Sequence, residues 1–220
     1  MNDKAGGDSQ ERRRDAERSR QAILGAAEEQ FAERGFDGVS LGQVATAAGL
    51  SRGTPSYFFG SKEKLYQAVL EQAFSDREEA TREACRPLVE WASGGGEASL
   101  RKPMTKAVEG YIEFLLRHPS FLKLIQREEL AGGSRLRSVP RESKAIEEAF
   151  AAVQSVAAER ESKAFSVADA VLVFVSLTFS PLTQRATFMA SLERDLSEPK
   201  ARRAHVRLSV DQLLHLTGLN

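Results

Sequence analysis

The 220-residue sequence has a single cysteine, Cys85, so no disulfide can form within the chain. A lone thiol fits a reducing compartment, and the cytoplasm is the expected location. Net charge is also missing, since 31 lysines and arginines face 31 aspartates and glutamates. No global basic field therefore announces nucleic acid, although a contact surface needs only local charge. Long apolar runs are absent: Val171 to Phe179 is far shorter than the roughly 20 residues that span a bilayer, so no membrane partner is expected. The N-terminus is polar and charged, without the apolar segment of a secretory signal. The three histidines, His118, His205 and His215, show no metal-ligand spacing with one another or with Cys85, and neither metal nor cofactor is expected. Gly94-Gly95-Gly96 lacks the following Lys-Ser/Thr of a phosphate-binding loop. No serine sits in a nucleophile elbow, and no repeat is visible. These absences argue against an enzyme.

What is present is helical periodicity, with Ser40 to Lys62 as its most informative stretch. Leu41, Val44, Ala45 and Ala48 recur at spacings of three and four, one apolar helix face. Ser40 precedes them and Gln43 lies three residues on, the pattern of a capping box. Gly49 can turn the chain with positive φ, and Leu50 packs back. Ser51 or Thr54 can cap a second short helix carrying Tyr57, Phe58 and Phe59. Two short helices joined by a tight glycine turn form a helix-turn-helix, whose second helix can enter a DNA major groove.

The match is longer than this motif. Arg20-Gln-Ala-Ile-Leu-Gly-Ala-Ala, Phe31-Ala-Glu-Arg-Gly-Phe, Val39-Ser-Leu, Val44-Ala, Ala48-Gly-Leu-Ser, Gly53-Thr54, Phe59 and Ser61-Lys62-Glu63 follow in order. Over residues 14–70 the chain closely resembles the N-terminal domain of the tetracycline-repressor (TetR) family of bacterial transcriptional regulators. The resemblance implies an all-α fold. A three-helix helix-turn-helix domain over residues 14–62 precedes a helical effector-binding and dimerisation domain over 63–220. It implies a ligand-responsive repressor that binds a pseudo-palindromic operator as a homodimer, in a bacterial cytoplasm and on the nucleoid when DNA-bound. The expected partners are double-stranded operator DNA, a second copy and a small-molecule effector.

Carried onto this sequence, the family's DNA contacts fall on Ser40, Gln43, Ser51, Arg52, Gly53, Thr54, Ser56, Tyr57 and Lys62. Arg52 has a fork that matches guanine O6 and N7, and Lys62 stands at a helix start where phosphate is held. Ser40, Ser51 and Thr54 serve equally well as plain caps, and Tyr57 as a core residue of the head. One departure stands out. Where the family carries a hydrophobic residue and then tyrosine, this chain has Pro55 and Ser56, and the aromatic comes one later as Tyr57. Proline fits only the first turn of a helix, which predicts Thr54 as cap and Pro55 as first helical residue.

Outside the head, residues 1–13 are expected to be a disordered arm, since MNDKAGGDSQ has no apolar periodicity. The arginines at 12, 13, 14, 18 and 20 read either as a solvated helix start or as an arm touching DNA phosphates. The first helix is expected from about Glu17 to Arg34, with Ile23, Ala27 and Phe31 inward. A fourth helix capped by Ser61 should stop before Pro87. Further helices are expected from Pro103 to His118, from Phe121 to Leu130 and from Pro140 to Glu161. A valine-rich buried helix should follow Ser166, then one over Leu182 to Leu196 and a last one from Pro199. The stripes in Val167–Phe179 and Pro199–Leu216 are the expected dimer surface. The aromatic surplus (Phe74, Trp91, Tyr111, Phe114, Phe121, Phe150, Phe165, Phe174 and Phe179) fits either a plain core or an apolar effector pocket. An adaptor that keeps the head but acts through protein partners is the rival reading.

Overall fold

A computed structural model describes residues 4–140, 143–162 and 164–219, and all regular structure among them is helical. Helix α1 spans Lys4–Arg34, α2 Leu41–Ala47, α3 Thr54–Phe59, α4 Lys62–Ser93 and α5 Arg101–Arg117. Helix α6 spans Pro119–Leu130, α7 Lys144–Glu159, α8 Val167–Thr183 and α9 Pro199–Thr217. The chain divides into two compact units. The first holds the chain up to Phe74 together with Lys123–Pro140; the second holds Ser75–Leu122 and the chain after Pro140. Residues 14–62, the expected reading domain, thus lie in the first unit.

In the first unit, α1 packs against α2 and α3. Ile23, Ala27, Phe31, Val44, Leu65, Tyr66 and Leu70 form its buried centre. Leu124, Leu136 and Val139 complete that core from the later segment. At roughly 25 cal/mol per Å² of buried apolar surface, side chains of this size each contribute about 1.5–3 kcal/mol. Such tertiary burial keeps α2 and α3 helical, because helices this short are marginal alone.

Several boundaries differ from expectation. The expected arm over 1–13 is helical from Lys4 onward, and residues 1–3 lie outside the described residues. That stretch continues α1, whose next turns carry the local pairs Arg18–Asp15 and Gln21–Glu17. Helix α4 runs through Pro87 to Ser93 instead of stopping before it. Proline there forfeits one backbone bond and strains the preceding turn, a cost of about 3 kcal/mol. Leu88 and Trp91, both buried, supply the offsetting core contacts beyond it. Helix α5 begins at Arg101, placing Pro103 in its first turn, where no N–H is missed. Helix α7 begins only at Lys144, and residues 141–142 of its expected start lie outside the described residues. The helix expected over Leu182–Leu196 is a single π-helical turn, Arg185–Met189, followed by turns.

In the second unit α5 packs against α8 and α9, and α7 against α8 and α9. Helix α8 is a helix despite its valines, but only Ala170, Phe174 and Thr178 are buried along it. Its other side is open in the single chain, with Leu172 64% exposed. His205 is buried, its Nε2 2.6 Å from the carbonyl oxygen of Leu177. Gly96, at φ +65°, closes the turn after α4, and a Cβ there would meet Val156 Cγ1 at 2.6 Å.

Candidate nucleic-acid interface

The reading head is built from local chemistry first. The Ser40 backbone N–H donates to Gln43 Oε1 at 2.8 Å, and the Gln43 N–H donates to Ser40 Oγ at 3.3 Å. This reciprocal box satisfies two donors that would otherwise be orphaned at the start of α2. Gly49 turns the chain at φ +69°, a conformation that costs other residues a steric clash. Leu50 then donates its N–H to the Ala45 carbonyl at 2.9 Å, closing the turn.

Helix α3 does not begin as expected. Gly53 is its N-cap, Thr54 its first residue and Pro55 its second, and no side chain caps it. Proline at the second position is as harmless as at the first, because that N–H has no intrahelical acceptor. Thr54 Oγ1 instead pairs with Ser51 Oγ at 2.7 Å, tying the entry loop to the first turn. Pro55 and Phe59 face inward. Ser56 and Tyr57 therefore face outward, Tyr57 being 85% exposed. The one-residue displacement of the aromatic leaves Tyr57 on the solvent side, its ring 5.3 Å from that of Phe58 in edge-on geometry.

Of the nine expected contact residues, Ser40, Gln43, Ser51, Arg52, Gly53, Ser56 and Tyr57 are exposed, and Thr54 and Lys62 are half-buried. Ser40 and Gln43 are engaged in the capping box. Arg52 folds back on α2, close enough that a Cβ on Gly42 would stand 3.4 Å from its Nε. Lys62 rests its Nζ 4.3 Å from the centroid of the Phe36 ring, a cation–π contact. The exposed set gathers on α2, the turn and α3, with polar, cationic and aromatic groups together. That combination suits a phosphate backbone and base edges.

Sequence reasoning did not anticipate the contacts that brace this head. Tyr66 on α4 donates its hydroxyl to Glu128 Oε1 at 2.8 Å, and Arg135 approaches the same oxygen at 3.7 Å. Burial, then the Glu128 carboxylate, push the Tyr66 phenol well above its ordinary titration range. Arg135 also stacks over Phe36 at 4.3 Å, on the ring that Lys62 touches. Arg127 caps the C-terminal end of α1, its Nε donating to the Ala32 carbonyl at 2.8 Å and Nη2 to that of Glu33. A cation at a helix C-terminus suits both the orphan carbonyls and the dipole. The hydrogen-bonded partners are 62 or more positions apart, so no local spacing could have signalled them.

Among the described residues no cluster of His, Cys, Asp or Glu has the makings of a metal site, and no helix is long and apolar enough to cross a membrane.

Comparison with known proteins agrees with the geometry. Residues 23–69 match the family described as bacterial regulatory proteins, tetR family. Residues 101–213 match the tetracyclin repressor-like C-terminal domain. The HTH-type transcriptional repressor NicS of Pseudomonas putida is 27% identical over 196 residues, covering 87% of this chain and 88% of that protein. The HTH-type transcriptional regulator RutR of Escherichia coli is 49% identical over 53 residues, 24% of this chain and 25% of that one. A crystal structure of a TetR-family regulator from Mesorhizobium loti superposes with a TM-score of 0.67 at 22% identity, over 91% of this chain and 96% of that one. At that identity the likeness is one of fold.

Proposed function

Because the chain belongs to the TetR family of DNA-binding transcriptional regulators, we propose that it is a ligand-responsive repressor acting on a pseudo-palindromic operator as a homodimer. The observation that carries the DNA-binding reading is the outward face of α3. Pro55 and Phe59 anchor the helix, while Ser56 and the exposed Tyr57 are presented with Ser51 and Arg52 just before them. In this reading Arg52 reaches a base edge, and Lys62 and Tyr57 hold backbone.

The dimer reading is supported by α8. After Asp169 the helix has no charged side chain, yet Leu172 is exposed and Val171, Val175 and Phe179 are only half-buried. An apolar helix covered on one side alone suits a symmetric interface with a second copy. Leu208 on α9, 44% exposed, extends that surface. The effector reading rests on the interior of the second unit. Tyr111 and Phe150 contact the Phe174 ring at centroid distances of 5.5 and 6.0 Å, with Arg77 and Thr178 as buried polar groups. An apolar site with few polar groups suits a small amphipathic ligand. Ligand binding would favour a conformer with the wrong half-site spacing, by a coupling of about 1–3 kcal/mol. Repression follows from occupying promoter DNA, in the cytoplasm and on the nucleoid.

The test is selection of bound duplexes from a random-sequence pool, followed by gel shifts at fixed salt. Enrichment of a two-fold symmetric site is expected. Recovery of no preferred duplex would leave the head as a protein-docking module.

A further inference from the structure

Helix α1 is longer than its packing requires. Its inward row, Ile23, Ala27 and Phe31, is fully buried against the rest of the first unit. Followed toward the N-terminus at helical spacing, the same row continues through Arg20, Ala16 and Arg13, with Arg12 beside it. From Gln10 to Arg18 every residue is exposed, so the row leaves the core and becomes cationic. Arg13 stands about 15 Å along the axis from Ile23, at a rise of about 1.5 Å per residue.

The direction of this overhang is set by a single cation–π pair. The Arg20 guanidinium lies 5.3 Å over the ring of Phe59, the last residue of α3. The face that bears Arg13 and Arg20 is thus the α3 side of the helix. Of the three acids in this stretch, Asp15 pairs with Arg18 and Glu17 accepts from Gln21 Nε2 at 2.9 Å, while Glu11 stands exposed beside Arg12. Residues 11–20 hold five arginines against three acids, a local cationic surplus, although the chain as a whole is neutral. An exposed cationic strip next to a reading helix complements the regular negative charge of a duplex backbone.

Resting on the DNA-binding reading above, we infer that the N-terminal overhang of α1 is a second DNA-contacting surface. Arg12 and Arg13 engage the phosphate backbone flanking the base pairs that α3 reads. The occupant is the same duplex, beyond the half-site. The overhang lengthens the footprint and adds affinity without base information, because guanidinium–phosphate pairing is blind to sequence.

The experiment uses the full chain and a duplex it selects from a random pool. The duplex is prepared in two lengths, trimmed to the symmetric site and extended by one helical turn, roughly 10 base pairs, at each end. Arg12→Ala/Arg13→Ala is compared with the parent over a salt series. On the extended duplex the slope of log affinity against log salt should fall by roughly 0.9 for each phosphate that the variant no longer neutralises. On the trimmed duplex the two proteins should bind alike. Arg12→Lys/Arg13→Lys should restore most of the slope, and hydroxyl-radical footprints of the parent should show flanking protection that is absent with the alanine variant. Equal binding by parent and alanine variant on the extended duplex overturns the inference. So does an equal loss on both lengths, which would signal damage to the head. If the parent enriches no duplex at all, the DNA-binding reading itself fails and takes this surface with it.

Discussion

Tyr66 and Glu128, 62 positions apart, meet as a hydrogen-bonded pair buried in the first unit, at 2.8 Å. The carboxylate is only 2% exposed, and its second oxygen has no hydrogen-bond partner among the described residues. Glu128 therefore depends heavily on the phenol. Tyr66→Phe should destabilise the protein by about 1–3 kcal/mol, the cost of leaving a buried acceptor short of a donor. Tyr66→Phe/Glu128→Leu should lose less than the sum of the single changes, because removing both polar groups avoids that penalty. Urea denaturation measures both, and strictly additive losses would show that the pair contributes nothing as a pair.

Cys85 offers a pH test of the second unit's interior. Burial, then the charge of Glu78, push its thiol up to about 12 from an ordinary 9.0. With the folded value raised, the contribution is fully present below about 9 and is lost as pH rises through 12. Within that window the unfolded chain ionises first and the native state holds the extra proton. The slope approaches about 1.4 kcal/mol per pH unit for one group. The buried phenols of Tyr66 and Tyr111, also raised, add to the alkaline loss. Cys85→Ala should flatten part of the slope, and the native thiol should resist thiol reagents at neutral pH. Rapid labelling of the folded protein near neutral pH would contradict this burial.

On the reading head, two cations are expected to behave differently. Lys62→Ala should weaken specific and scrambled duplexes alike and lower the salt slope by about one. Removing the ammonium from the Phe36 ring costs about 0.5–1 kcal/mol of stability in addition. An unchanged slope would leave Lys62 as a structural residue only. Arg52→Ala should cost about 1–3 kcal/mol on the preferred site and blur one base pair per half-site. Equal losses on both duplexes would show that Arg52 holds phosphate. Ser56→Tyr should gain little if Tyr57, already outward, makes the family's tyrosine contact. A gain on all sequences would show that this phosphate goes unheld in the parent.

The dimer reading turns on α8. Leu172→Glu places a charge in the middle of its open apolar face. The parent should sediment as a dimer at micromolar concentration and the variant as a monomer, with little change in helicity because the site is exposed in a single chain. A monomeric parent would remove the interface and the palindromic operator together.

The sequence by itself determined the α2 half of the reading head and the turn that follows it. Its elements are local: the Ser40–Gln43 box, the positive φ of Gly49 and the apolar spacing of α2 all act within a few residues, where periodicity and capping are informative. Family membership was legible there for the same reason. The tertiary structure decided the rest. Pro87 lies within α4 because Leu88 and Trp91 have a core to join, something no proline rule can weigh. His205 is buried because α8 offers the Leu177 carbonyl across 28 positions. The segment Lys123–Pro140 completes the first unit because Leu124, Leu136 and Val139 join its core, and Arg127 and Glu128 find partners there. Such contacts depend on complementary volume and on single donor–acceptor geometries between distant segments. Neither leaves a periodic trace in the chain, so only the folded arrangement reveals them.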